Sequence, residues 1–301
     1  MRISTQMMFQ NSLSAMQRQQ TAMARAQEEI DSGRKLLSPE DDPVAVSTVN
    51  QMEKRNSKLT QYQRNIDFAT GKLQNQEGLL SNMQDCLQRV REISIASNND
   101  LGNANTRKTF ADELKGLRDD LKRLVNSTDE NGDFVFSGIY AKESPFVPNG
   151  APPPDTIPNP AITTTTPVNV EIGEGEQVSV SNYGTAFLAS GGSDVFAALD
   201  TMIADLEAGN PVAAAQETII AGVQDQVSLT QSTIGNRINR LDQAFENNDT
   251  EGLANTKVLS RLRDTDYAEA ITKLNQEYMA LQATQQSFAK IQGLSLFNYI
   301  S

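Results

Sequence analysis

The sequence predicts a mainly α-helical protein with a β-rich insert: an elongated antiparallel helical bundle or coiled coil, formed by the N- and C-terminal halves, around a small central β domain. Three observations lead there. Apolar residues recur at heptad spacing in the first half of the chain, and similar patterns occupy both ends. The centre has a different composition, since seven of the eleven prolines lie between Pro148 and Pro167.

The longest helical pattern begins at Met52. Six apolar residues follow one another every seven positions, and a second register three residues later contains Tyr62, Ala69, Gln76, Met83 and Val90. A helix of this length needs partner helices, and Gln76 is interpreted as a polar position that sets their register. The predicted rod core consists of Met52, Leu59, Ile66, Leu73, Leu80 and Leu87.

Both termini carry amphipathic patterns with alternating steps of four and three residues, interrupted by glutamine. Two such helices can pair with each other and still present a surface to neighbouring chains. We therefore predict an assembly interface made by Phe9, Leu13, Met16, Met23, Ile30, Tyr267, Ile271, Leu274, Tyr278, Leu281 and Phe288.

The centre of the chain contains no lysine or arginine between Glu143 and Asn236. Alternating apolar residues from Val168 to Ile172 and at Val178 and Val180 predict a β-hairpin around Gly173 to Gly175. The predicted domains are a terminal helical assembly domain (1–45 plus 262–301), a helical rod domain with a short hairpin (46–140 plus 193–261) and a variable β-rich outer domain (141–192).

Local signals predict where several helices begin and end. Asp42 and Pro43 are expected at the N-cap and first position of the helix that contains Met52. Gly102 is expected to interrupt the helices, and alternation at Phe134 and Phe136 predicts a short strand. Two later helix starts are also predicted. Ser193 is expected to be the N-cap of one helix, and Asn210 and Pro211 are expected to be the N-cap and first residue of the next.

Composition excludes most classes of enzyme. The chain has no histidine and one cysteine, Cys86, so histidine-dependent nucleophilic catalysis and cysteine- or histidine-based zinc sites are ruled out. The glycine-rich spots lack the spacing of a phosphate-binding loop. We expect a protein that is not an enzyme, with no catalytic residue, cofactor or metal.

The net charge of −12 argues against a nucleic-acid partner. No stretch approaches the roughly 18 apolar residues of a membrane span, and the first twenty residues lack the apolar core of a cleaved signal peptide. We expect no membrane partner, and either a cytosolic location or release from the cell by another route.

Both ends carry recognisable motifs. The start reads Met1-Arg-Ile-Ser4, then Leu37-Ser-Pro-Glu-Asp-Asp-Pro43, and the end runs from Arg263-Asp-Thr-Asp-Tyr267 to Phe297-Asn-Tyr-Ile300. These segments resemble the flagellin superfamily. The Asp-Asp-Pro and the motif Gly132-Asp-Phe-Val-Phe-Ser-Gly138 are most similar to its hook–filament junction branch, the hook-associated protein 3 family. Glu40 departs from the serine common there.

The resemblance implies a structural role in the bacterial flagellum. It implies type III export without a cleaved signal peptide, an export chaperone before secretion, and assembly at the hook–filament junction between hook-associated protein 1 and flagellin, with copies of itself in a ring. Three alternatives stay open: a secreted adhesin whose acidic centre binds a ligand, a cytosolic coiled-coil scaffold, and a carbohydrate-cleaving enzyme that uses a central carboxylate pair.

Overall fold

The computed structural model describes residues 5–99, 104–150, 154–190 and 193–300. Within these ranges the protein is mainly α-helical with a small β insert, so the predicted fold class is confirmed. The helices are α1 (Thr5–Ser32), α2 (Pro43–Asn99), α3 (Ala104–Val125), α4 (Gly184–Phe187), α5 (Val195–Glu207), α6 (Ala214–Arg263) and α7 (Tyr267–Ile300). Gly102, the predicted helix breaker, lies outside the described residues.

The strands form three antiparallel pairs among the described residues. They are β1 (Phe146–Pro148) with β2 (Thr156–Pro158), β3 (Asn169–Gly173) with β4 (Glu176–Ser179), and β5 (Ala189–Ser190) with β6 (Ser193–Asp194). The β3–β4 pair is the hairpin that the apolar alternation predicted, which confirms that element. The proline-rich stretch contributes one of the three pairs, because its prolines stand at strand ends where a missing N–H costs nothing.

The chain folds into two compact units. Unit 1 comprises Met1–Lys58 with Thr250–Ser301, and unit 2 comprises Leu59–Asp249. Unit 1 therefore draws on both ends of the chain, and unit 2 on its middle.

Unit 2 has a continuous apolar core along the heptad face of α2. Leu73, Leu80 and Leu87 are completely buried, together with apolar residues of α3, α5 and α6. Ile172 and Val178 of the β3–β4 hairpin belong to the same cluster. The insert thus packs on the helices, and its β3–β4 hairpin contributes residues to their apolar core.

Gln76 has a different role from the predicted one. Its side chain is buried, and its Nε2 donates to the backbone oxygen of Val180 at 3.0 Å, while Asn182 Nδ2 donates to its Oε1 at 2.6 Å. Arg237 of α6 completes the network by donating to Asn182 Oδ1 at 3.2 Å. The amide therefore anchors the end of the hairpin to α2, because its partners come from the insert and not from a facing helix.

The start of α2 agrees with the sequence. Pro43 is its first residue, and Asp42 Oδ1 accepts the N–H groups of Val44 and Ala45 at 3.1 and 2.9 Å. The predicted aspartate N-cap is confirmed.

Two other predicted helix starts are wrong. The N-cap of α5 is Asp194 and not Ser193, because the Asp194 carboxylate accepts the N–H groups of Phe196 and Ala197. The next helix, α6, starts at Ala214 and not at Asn210-Pro211. The N–H of Asn210 closes the end of α5 by donating to Asp205 O, next to Gly209 with φ +81°.

The strand predicted at Phe134 and Phe136 is also wrong. This segment makes only isolated bridges, Thr128 with Phe134 and Ser137 with Tyr183. Phe136 instead turns into the core, where its ring meets the Phe187 ring edge-on with centroids 5.2 Å apart. Core packing of one aromatic residue outweighs the strand pattern here.

Candidate assembly surface

Helices α1 and α7 form an antiparallel pair in unit 1. The ring of Phe9 packs on that of Phe288, Gln19 donates a hydrogen bond to Glu277, and Lys273 forms an ion pair with Glu29 at 3.5 Å. Residue numbers rise along α1 as they fall along α7, so the two helices run in opposite directions over most of their length.

Backbone contacts hold the beginning of α7 against the end of α1. Thr265 N donates to Gly33 O at 3.1 Å, and Lys35 N donates to Arg263 O at 2.7 Å. Gly33 has φ +64°, and a Cβ there would lie 2.8 Å from Tyr267 Oη. Glycine is required at this turn both for its backbone conformation and for the close approach of the tyrosine.

The turn that follows α1 is organised by one carboxylate. Asp41 Oδ2 accepts the N–H groups of Leu37 and Ser38 at 3.1 and 3.0 Å, and Asp41 also pairs with Arg25 of α1. The Ser38 N–H, followed by Arg25, lowers the pKa of Asp41 below its usual value. The ionised carboxylate therefore ties the turn to the helix.

The predicted interface residues fall into two groups. Leu281 is buried, and the larger part of one register is half-buried between the helices: Met16, Met23, Ile30, Leu274 and Phe288. The other five residues remain exposed in the single chain: Phe9, Leu13, Tyr267, Ile271 and Tyr278. The first group thus serves pairing within the chain, and the second presents exposed surface to a neighbour, with Phe9 doing both because its ring also packs on Phe288.

The predicted seams did not include several residues of the contact between α1 and α7. Small and polar residues outside the predicted seams lie toward the partner helix, with Ala26 and Ala270 almost completely buried and Gln19 and Glu277 joined by a hydrogen bond. Burial of alanine lets two helix backbones approach closely. A search for large apolar residues overlooks such positions.

The exposed group forms one surface. At roughly 100° per residue, Leu13 on α1 and Ile271 and Tyr278 on α7 are rotated by roughly 40–100° from the half-buried heptad positions, in the same rotational sense, and Phe9 and Tyr267 lie between the two sets. In an antiparallel pair, equal rotation places both sets on the same side. We call this side of the pair the apolar face: Phe9, Leu13, Tyr267, Ile271 and Tyr278.

Apart from the exposed Met7 of α1, the opposite side of the same pair is polar. It carries Arg18 and Arg25 from α1, and Glu269 and Gln276 from α7, all exposed. The ion pair between Glu29 and Lys273 lies toward this side. The pair therefore has one face suited to burial and one suited to water.

The predicted rod core lies elsewhere. Leu59, Ile66, Leu73, Leu80 and Leu87 are buried in unit 2, whereas Met52 is half-buried in unit 1. These residues act in packing within one chain.

Neither a metal-holding cluster nor a membrane-spanning helix is found among the described residues. They contain no group of three or more histidine, cysteine, aspartate or glutamate residues arranged to hold a metal ion. None of the helices, over the described part of the chain, combines the length and apolar character needed to cross a bilayer.

Comparison with known proteins agrees with this architecture. Residues 3–141 match the bacterial flagellin N-terminal helical region, and residues 218–300 match the bacterial flagellin C-terminal helical region. The matched regions contain α1 and α7, and hence the apolar face.

Similar proteins cover the whole chain. Flagellar hook-associated protein 3 of Escherichia coli is 28% identical over 315 residues, 99% of each chain, and that of Salmonella typhimurium is 29% identical over 318 residues, also 99% of each. The solved structure of a flagellar hook-associated protein from Vibrio parahaemolyticus superimposes with a TM-score of 0.67 at 26% identity, covering 74% of this chain and 100% of that one. The chain therefore belongs to the flagellin superfamily, where its matches over the full length include flagellar hook-associated protein 3.

Proposed function

We propose that this chain joins the flagellar hook to the filament. In this proposal, copies of the chain form a ring that binds hook-associated protein 1 on one side and flagellin on the other. Support comes from the full-length similarity to hook-associated protein 3 and from the flagellin-like helical regions at both ends.

The observation that carries the proposal is the apolar face. Five large apolar side chains lie exposed on one side of α1 and α7, while the other side is polar apart from Met7. Burial of a large apolar side chain is worth roughly 1.5–3 kcal/mol, so covering this face with a neighbouring chain favours assembly. The tyrosines add hydroxyl groups that tolerate water before the neighbour arrives.

We also propose that the chain leaves the cell through the flagellar type III apparatus, with a chaperone bound beforehand. The pairing of α1 with α7 supports this route, because unit 1 cannot form until both ends of the chain are present. A chain that passes through a narrow export channel one end first would thus fold unit 1 only after both ends have left the channel.

The test is a comparison of two charged variants in a strain that lacks the natural gene. Ile271→Asp with Tyr278→Asp places two carboxylates on the apolar face, and Thr272→Asp with Gln276→Asp places two on exposed positions elsewhere on α7. We expect both proteins to be exported, but cells with the first variant to shed flagellin into the medium and stop swimming.

The control variant should support filaments of normal length on its hooks. Equal swimming by both strains would contradict the proposal that the apolar face binds neighbours. Retention of both variants inside a strain with an inactive flagellar export apparatus tests the route of export separately.

The adhesin alternative receives no support from the insert. Its β3–β4 hairpin contributes Ile172 and Val178 to the core that α2 also forms, so the acidic centre is not built as a separate ligand-binding module.

A further inference from the structure

We propose that Asn131 is a site of spontaneous deamidation, and that the carboxylate of Asp129 keeps the reaction slow by holding closed the turn that contains both residues. The product is an aspartate or an isoaspartate in place of the asparagine. This inference concerns the chemistry of unit 2, and it does not depend on the proposed function.

The dipeptide Asn131-Gly132 supplies the reacting groups. Asparagine is among the chemically labile residues of proteins, because the carbon of its side-chain amide lies within reach of the next backbone nitrogen. Glycine at that next position hinders the approach least, since it has no Cβ. Both residues are exposed, and nothing lies within 4 Å of a Cβ placed on Gly132, so no neighbouring side chain blocks the path.

The reaction needs only water. The Gly132 nitrogen attacks Cγ of Asn131, a bond between these two atoms forms, and the side-chain amide nitrogen leaves as ammonia with the proton that the backbone nitrogen gives up. The cyclic succinimide that results then takes up one water molecule at either of its carbonyl carbons. One opening yields aspartate. The other yields isoaspartate, in which the main chain runs through Cβ and Cγ.

The turn opposes this reaction at the attacking atom. The N–H of Gly132 donates to Asp129 O at 2.9 Å, so the nitrogen that must attack is engaged in a hydrogen bond and keeps its proton. Asp129 Oδ1 accepts the N–H groups of Asn131 and Asp133 at 2.9 and 3.0 Å, which fixes the backbone on both sides of the dipeptide. The attack therefore requires the turn to open first.

Further contacts hold the turn closed. The N–H of Asp129 donates to Asp133 O at 2.8 Å and joins the two ends of the turn. Lys142 forms an ion pair with Asp133, and Lys72 Nζ lies 4.0 Å from Asp129 Oδ2. The open turn is thus a minor state, and the rate of deamidation is the intrinsic rate of an Asn-Gly pair multiplied by the fraction of chains that are open.

Deamidation would disturb the packing of unit 2. Directly outside the turn, Val135 N donates to Ser127 O at 3.0 Å, and the next residue, Phe136, is completely buried. Isoaspartate lengthens the main chain of the turn by one carbon, and either product adds a negative charge beside Asp129. We therefore expect the modified chain to melt at a lower temperature than the unmodified one.

The experiment follows the natural chain in a warm, mildly alkaline buffer, with and without concentrated guanidinium chloride. Mass spectrometry of peptides measures deamidation at Asn131, and also at Asn149, which precedes Gly150 in the other Asn-Gly pair of the sequence. The rates of the two pairs in guanidinium chloride give the intrinsic rate. In the folded chain Asn131 should react at least about tenfold more slowly than in guanidinium chloride.

Variants of the turn test the role of the carboxylate. Asp129→Ala should raise the rate at Asn131 in the folded chain about tenfold, because two hydrogen bonds of the closed turn are lost. Asp129→Ser keeps an oxygen acceptor and should react at an intermediate rate. The matched control is Glu130→Ala, which removes the same charge at an exposed position next to Asn131 and should react as slowly as the natural chain.

Circular dichroism of each variant shows whether unit 2 is folded, and if Asp129→Ala is not, the comparison of Asp129→Ser with Glu130→Ala decides. The proposal is overturned if Asn131 reacts as fast in the folded natural chain as in guanidinium chloride. It is also overturned if folded Asp129→Ala and Asp129→Ser react as slowly as the natural chain, or if Glu130→Ala reacts as fast as they do. Equal melting of the modified and unmodified chains, separated by their charge, would contradict the effect on the core.

Discussion

The rings of Phe9 and Phe288 pack together with their centroids 5.1 Å apart and their planes inclined by 44°. These residues come from α1 and α7, so their contact joins the two ends of the sequence in unit 1. The folding of unit 1 consequently depends on a contact between residues that are almost the full chain length apart, which makes closure entropically costly. Side-chain contacts along α1 and α7 must offset that cost.

Replacement of Phe288 by alanine should therefore loosen both ends together. Loss of the half-buried ring and its contact with Phe9 should lower the free energy of unfolding of unit 1 by about 1–2 kcal/mol. Limited proteolysis should cut α1 and α7 of Phe288→Ala faster than those of the natural chain. Tyr278→Ala, which removes an exposed ring of α7, should leave the rate unchanged. Faster cleavage of α7 alone would show that the two helices do not support each other.

Gly138, in the motif that precedes the insert, should be intolerant of any side chain. It has φ +60°, and a Cβ there would overlap the ring of Tyr183, whose hydroxyl donates to Thr166 O at 2.7 Å. Gly138→Ala should destabilise unit 2 by about 3 kcal/mol or more, because strain and overlap add.

Gly132→Ala is the matched control for this position. Gly132 has φ +73°, but nothing lies within 4 Å of a Cβ placed there. It should cost only about 1 kcal/mol, from backbone strain alone. Urea unfolding of both variants measures the difference, and equal losses would show that Tyr183 moves aside.

Some parts of the fold are predictable from the sequence because they depend on local patterns. The heptad face of α2, the Asp42 cap and the β3–β4 hairpin each need only residues close together in the chain. Contacts between distant segments are harder. Gln76 lies at a heptad position, and no pattern shows that its partners are Val180 and Asn182.

The assembly surface is likewise only partly predictable from local patterns. The steps of four and three residues correctly indicate that α1 and α7 are amphipathic, but each helix carries two adjacent registers. Ala26 and Ala270 decide which register is buried within the chain, since two alanines permit a close approach. The sequence of one helix cannot reveal the residue opposite it, so Phe9 and Leu281 were assigned to one surface although their exposure differs.

Gln76 should be essential for attaching the β3–β4 hairpin to α2. Gln76→Leu keeps the side-chain size but leaves Val180 O without its donor and Asn182 Nδ2 without its acceptor in a buried place. The expected loss of stability is about 1–3 kcal/mol. Gln74→Leu, an exposed substitution of the same kind on α2, should change little.

Hydrogen exchange of the backbone N–H groups in β3 and β4 distinguishes this role from a general effect on the helices. We expect faster exchange in the hairpin of Gln76→Leu at a denaturant concentration where α2 is still protected. Uniformly faster exchange across unit 2 would contradict the anchoring role of Gln76. It would instead favour the predicted role of Gln76 in setting the register between helices.

Asp41 should make the stability of unit 1 depend on pH in the acidic range. The N–H of Ser38 and the guanidinium of Arg25 hold the pKa of Asp41 below its ordinary value of 3.8 in the folded chain. A carboxyl group with a lowered folded pKa contributes stability that is complete above the unfolded value and is lost as the pH falls through the folded one. Acidification below about pH 4 should therefore release the turn after α1.

The measurement is the melting temperature of the natural chain and of Asp41→Asn between pH 6 and pH 3, followed by circular dichroism. Asp41→Asn should melt earlier than the natural chain at pH 6, because the asparagine cannot pair with Arg25. The difference should shrink as the pH falls, since protonation removes the same charge from the natural chain. Glu40→Gln, which neutralises the exposed neighbouring residue, should follow the natural chain throughout. A constant difference between the natural chain and Asp41→Asn down to pH 3 would mean that the charge of Asp41 does not hold the turn.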